Sequence, residues 1–212
     1  MNNSMIGGAD GPTAIFLAGR FNGFMIPAFG VMILFYGIYF IKQLAQKKQG
    51  IITRQLGRRK EKSLHITEVI MSLATVLIVI VEIFSILFDL NLMPMPVRIA
   101  GIILGISGDL VFLTAVVTMK NSWRAGIPEK DRTEFVSSGI YQYSRNPAFL
   151  GFDVMYAGIL LMYFNWLLLG FTIWAMIMLH LQILQEEKYL PTVFGEEYLE
   201  YKEHTRRYLG RK

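Results

Sequence analysis

The 212-residue chain is 53% hydrophobic and only 17% charged, with a formal net charge of +5 and a mean hydropathy of +0.42. A soluble domain usually carries about 25% charged residues, so the composition argues against an ordinary soluble enzyme, a disordered chain and a nucleic-acid binder. The complete lack of cysteine removes disulfides, thiolate zinc sites and cysteine nucleophiles, and no metal site is expected.

A hydrocarbon core of roughly 30 Å needs about 20 apolar residues of helix to cross it. The first 20 residues form a glycine-rich leader, Met1–Arg20, with no basic stretch ahead of an apolar run, so no cleavable signal peptide is expected. Within it, Met5 to Phe16 resembles a segment of the β subunits of sodium-translocating decarboxylases, with Asp10 set among Gly7, Gly8 and Gly11. Phe21–Leu44 then reads as a first span. Ile66–Leu90 is a second, carrying Glu68 and Glu82 and stopped by Asn91 and the Pro94/Pro96 pair. Val97–Met119 is a third, with Asp109 near its middle. Phe149–Tyr163 and Trp166–Leu184 form a last pair, and their two-residue link demands an antiparallel helical hairpin. Beyond them, Glu186–Tyr208 reads as an amphipathic helix. The expected fold is all-α and polytopic, with about five membrane helices and a cytosolic C-terminal helix. Residues 1–20 are the leader, 21–119 hold three spans and a basic loop, and 120–212 hold a loop, the hairpin and the tail.

Basic residues support that order. Nineteen of the 21 Lys and Arg fall in three segments, from Lys42 to Lys62, from Lys120 to Arg145 and from Lys188 to Lys212. Five spans place all three segments on one face, which the positive-inside rule makes cytoplasmic. The N-terminus is then extracytoplasmic and the C-terminus cytoplasmic.

Organised polar residues gather in the last ninety positions. The run Phe135-Val-Ser-Ser-Gly-Ile-Tyr-Gln-Tyr-Ser-Arg-Asn-Pro147 lies just before a span on the basic side. Pro147 suits the first turn of a helix, whose free N–H groups favour a carboxylate or phosphate. Arg145 adds a fork-shaped cation there, although snorkelling to headgroups is its plainer reading. Glu186 and Glu187 close the last span at the same level, so the two places together suit a zwitterionic ligand.

These residues resemble the isoprenylcysteine carboxyl methyltransferases and their bacterial relatives. The likeness rests on Trp123-Arg-Ala-Gly-Ile127, Phe135 to Tyr141, Ser144-Arg-Asn-Pro-Ala-Phe-Leu-Gly151, Glu186-Glu187 and Phe194-Gly-Glu-Glu-Tyr-Leu-Glu-Tyr-Lys202. The resemblance implies an integral membrane enzyme that uses S-adenosylmethionine on a lipophilic or membrane-delivered small molecule, with a carboxylate among the candidate acceptors. It implies a cofactor pocket lined by Val136, Gly139, Tyr141, Arg145, Asn146, Pro147, Glu186, Glu187 and Arg207. Arg145, Asn146 and Glu187 become the candidate catalytic residues, and Trp123, Arg124 and Asp109 the candidate substrate contacts. This chain departs from the pattern at Asn146, where the relatives carry histidine, and at Phe149, where they carry tyrosine. Asn cannot titrate, which favours an acceptor that arrives ionised, since a carboxylate needs no base at neutral pH.

Several polar residues have plainer readings. Tyr198, Tyr201 and Tyr208 read as interfacial anchors, and His180 and His204 as hydrogen-bonded structural residues. Trp123 and Arg124 fit an interface belt as well as a substrate mouth, and Asp109 fits a packing role as well as a functional one. Two other functions stay open: a membrane NADPH-dependent reductase of the sterol-reductase type, and a non-catalytic accessory of a sodium-translocating decarboxylase.

Overall fold

The computed structural model describes residues 22–53, 62–124 and 134–211. The decarboxylase-like stretch from Met5 to Phe16 lies outside them. Among the described residues the chain is helical, apart from two 3-10 turns and an isolated bridge between Thr205 and Arg211. The helices are α1 (Met25–Lys48), α2 (Lys62–Leu87), α3 (Met95–Met119), α4 (Pro147–Met162) and α5 (Trp166–His204).

Four of the five are long and apolar enough to cross a membrane. The fifth, α4, has only 16 residues and is about 24 Å long at 1.5 Å per residue. Its shortness is tolerable because α3 covers it closely. A Cβ on Gly108 would sit 2.5 Å from the Met155 backbone nitrogen, and one on Gly101 would sit 2.7 Å from the Gly158 carbonyl. Small residues let the two backbones approach, as they do between membrane helices generally. Large apolar side chains such as Ile33, Phe40, Val76, Ile80, Ile103 and Leu110 point outward and are exposed, as a chain solvated by lipid requires.

Both ends of the bundle are tied. At one end Leu92 N–H donates to the Phe164 carbonyl at 2.9 Å, and Asn22 donates to Asp89 at 2.7 Å. There too the Arg98 Nε donates to the Met162 carbonyl at 2.7 Å, occupying one free carbonyl at the end of α4. At the other end Gln46 donates to the Trp123 carbonyl at 3.0 Å. The described residues of all three basic segments lie at this second end, and Arg98 lies at the first.

The predicted boundaries shift where prolines and caps decide them. Pro94 and Pro96 start α3 at Met95, two residues early, because proline suits a helix's first turn. Pro147 likewise starts α4 two residues ahead of Phe149. Asn165 caps α5 by accepting from Leu168 N–H at 2.9 Å. The larger correction concerns the tail. The last span and the amphipathic helix form one element of 39 residues, with Pro191 inside it and a break at Gly195, where φ is +57°. It ends at His204 rather than Tyr208, and residues 205–211 fold back as a hook.

Candidate functional site

The loop before α4 begins with Gly139, whose φ of +61° is open to glycine without strain. A 3-10 turn, Gly139–Gln142, follows and brings Tyr141 inward. Three residues on, Asn146 and Pro147 open α4. The hook lies across this loop: Gly210 N–H donates to the Tyr143 carbonyl at 2.7 Å, and Arg145 N–H to the Arg206 carbonyl at 3.0 Å.

Beneath the hook sits Glu187, 5% exposed. Arg145 donates to its Oε1 at 2.8 Å. Arg207 forks onto both its oxygens, at 3.1 and 2.8 Å, and Asn146 reaches Oε1 at 3.4 Å. Burial alone would raise the Glu187 carboxyl, but the hydrogen bonds from Arg207 and Arg145 outweigh it and hold the group below the usual range. Glu187 is therefore an ionised keystone, placed past the apolar stretch of α5 that ends at Leu184.

In front of this keystone opens a cleft of about 1000 Å³, its open mouth included. The loop contributes Phe135, Val136, Tyr141, Arg145, Asn146 and Phe149. The polar half of α5 contributes Glu186, Tyr189, Leu190, Val193, Phe194, Tyr198 and Tyr201, and Met119, Ser122, Trp123, Arg124, Glu134 and Ala148 complete the lining. Glu186 accepts from Gln182 at 3.0 Å. The end nearest the spans is apolar, built on Met119, Trp123, Ala148 and Phe149. The other end is aromatic, with Phe135 packed on Phe194 at 5.2 Å and on Tyr201 at 5.3 Å between ring centres.

Of the residues singled out in the sequence, Val136, Tyr141, Arg145, Asn146, Glu186, Trp123 and Arg124 line the cleft. Glu187 and Arg207 stand behind it, Gly139 packs on Thr118, and Pro147 is buried as the first residue of α4. Asp109 is not among the lining residues; it is buried within α3, and neither carboxylate oxygen has a hydrogen-bond partner among the described residues.

The tyrosines are not the interfacial anchors expected of them. Tyr198 is 1% exposed, and Tyr201 donates to the Tyr141 carbonyl at 2.6 Å. Burial pushes the Tyr198 hydroxyl up to about 12, with the nearby Glu187 adding to it, and raises Tyr201 and Tyr141 as well. All three remain neutral donors. Phe135 and Phe194 were not among the candidate site residues; the break at Gly195 interrupts the helical spacing between Phe194 and Tyr198, so periodicity alone does not bring Phe194 to Tyr198 and Tyr201.

A comparison with known families matches residues 97–197 to the phospholipid methyltransferases. That segment is similar to the phospholipid methyltransferases. The chain is also 31% identical over 121 residues to Protein-S-isoprenylcysteine O-methyltransferase of Saccharomyces cerevisiae, which covers 55% of this chain. It spans half the length of that relative. The matched segment contains all but the first two residues of α3, all of α4, most of α5 and all of the cleft's lining except Tyr198 and Tyr201.

Proposed function

We propose that the chain is an integral membrane methyltransferase, transferring a methyl group from S-adenosylmethionine to a lipophilic acceptor that enters from the bilayer. One observation carries the reading. A single cleft at one end of the bundle joins an aromatic and charged half, from the loop and α5, to an apolar half abutting the spans. A polar donor and an apolar acceptor can meet there.

The residues present fit the donor. Arg145 and Tyr198 both line the cleft, and the guanidinium lies within hydrogen-bonding reach of the Tyr198 hydroxyl. They suit the donor's carboxylate, Glu186 its ammonium, and the Phe135–Phe194–Tyr201 wall its adenine ring. When bound, S-adenosylmethionine supplies an electrophilic methyl group. The protein's part is to align the acceptor with it and to exclude water. Tyr141, Tyr198 and Tyr201 hold their protons, and Asn146 has none to exchange. A carboxylate acceptor, which arrives ionised and would take the methyl group on oxygen, is favoured on that ground. The basic end of the bundle is cytoplasmic in this reading.

The test uses the full chain in lipid vesicles, with methyl-labelled S-adenosylmethionine and a total lipid extract. Label appearing in the organic phase, absent with the Arg145→Ala variant, is the expected result. No transfer, together with oxidation of added NADPH, would replace this reading by the reductase one.

A further inference from the structure

The donor side of the cleft depends on a contact outside it. Tyr208, in the hook, meets His180 on α5, with 2.5 Å between the hydroxyl and Nδ1. The two rings are stacked at 16° and 5.9 Å. His180 lies seven residues before Glu187, two helical turns, and so on the same face. Arg207, beside Tyr208, is the residue that forks onto Glu187. Glu187 in turn holds Arg145 and Asn146, which line the cleft.

Backbone bonds secure only the two ends of the hook. Arg206 N–H donates to the Gly210 carbonyl at 2.9 Å, and Gly210 N–H to the Tyr143 carbonyl at 2.7 Å. Between them, the 207–208 tip is held by side chains: Arg207 on Glu187, Tyr208 on His180, and Asn146 and Ser144 donating to the Arg207 carbonyl at 3.2 and 3.4 Å. A planar guanidinium binds a carboxylate through two parallel bonds only in a narrow range of orientations. With the Arg207 carbonyl already pinned by Asn146 and Ser144, the direction in which residue 208 is held sets the remaining freedom of the Arg207 side chain to fork.

We infer that His180 and Tyr208 are positioning residues of the donor site, a latch that orients Arg207 so that Glu187 presents Arg145 and Asn146 to the cleft. The inference rests on the proposed function for its donor. Neither residue touches the cleft, so their effect falls on donor affinity and not on turnover at saturating donor.

The full-length solubilised protein is assayed for S-adenosylhomocysteine affinity and for amide exchange over 205–211. His180→Phe and Tyr208→Phe each keep the ring and remove the bond, while His180→Gln keeps a hydrogen-bonding group. Each Phe variant should weaken affinity about fivefold, the loss of one hydrogen bond. The double variant should be no weaker than either single, His180→Gln should recover most of the loss, and the hook should exchange faster while α3 is unchanged. Unaltered affinity in both Phe variants, or losses that simply multiply in the double, would overturn the latch. If the wild type does not bind S-adenosylhomocysteine, the proposed function fails on its own. Faster hook exchange in the Phe variants then still supports the latch, and unchanged exchange overturns it.

Discussion

Arg207 grips Glu187 through both carboxylate oxygens, at 3.1 and 2.8 Å, from a hook that has doubled back over the start of α4. The same carboxylate holds Arg145 from the other side at 2.8 Å. One buried anion thus fixes two cations from segments about 60 residues apart, and the cleft's shape follows from that junction.

Glu187→Gln should be severely destabilising. It leaves Arg145, with a 6% exposed side chain, without its counter-charge, and removing one partner of a buried pair costs about 3–5 kcal/mol. Thermal unfolding in detergent measures this, and S-adenosylmethionine binding should fall at least about tenfold with it.

Acidification should act through the same residue. The folded Glu187 carboxyl lies below its ordinary value, so its stabilising contribution is fully present above the unfolded value of about 4.3. It is lost as pH falls through the folded value. The wild-type melting temperature should therefore drop more steeply than that of Glu187→Gln below about pH 4.

The α3–α4 contact should tolerate no added atom. Gly108→Ala puts a methyl 2.5 Å from the Met155 nitrogen, which should cost about 1–3 kcal/mol. Gly37→Ala, with nothing within 4 Å, should leave the melting temperature unchanged or higher.

Topology can be read directly, because the chain has no cysteine of its own. Asn91→Cys, in the α2–α3 connection, should label with an impermeant maleimide in intact cells. Ser137→Cys, beside the cleft, should label only after permeabilisation. The reverse pattern would place the basic end outside.

Much of this was legible in the residues themselves. Long apolar runs give helices in lipid because every backbone group must be satisfied within the segment, so the spans could be read from composition, and the prolines moved their ends by only a residue or two. The meeting of the Phe135–Gly151 stretch with Glu186 and Glu187 was legible from the order of motifs around a tight hairpin. The tail was less so. Local polarity cannot tell a helix on a membrane surface from one that continues α5 and folds its tyrosines inward, because the deciding partners, Phe135 and the Tyr141 carbonyl, come from 60 residues upstream. The pairing of Tyr208 with His180 was hidden for the same reason. Asp109 went the other way: an acid in mid-span drew attention as a substrate contact, yet it sits away from the cleft.

The most direct test is equilibrium binding of labelled S-adenosylmethionine to the full-length protein in detergent or nanodiscs, with Arg145→Ala and Phe135→Ala alongside. The account predicts saturable binding by the wild type and at least about tenfold weaker binding by Arg145→Ala, which loses a charge-assisted contact. Phe135→Ala, which opens the aromatic wall, should fall between them. Equal binding by all three folded proteins, or none by the wild type, would contradict the placement of the donor in this cleft.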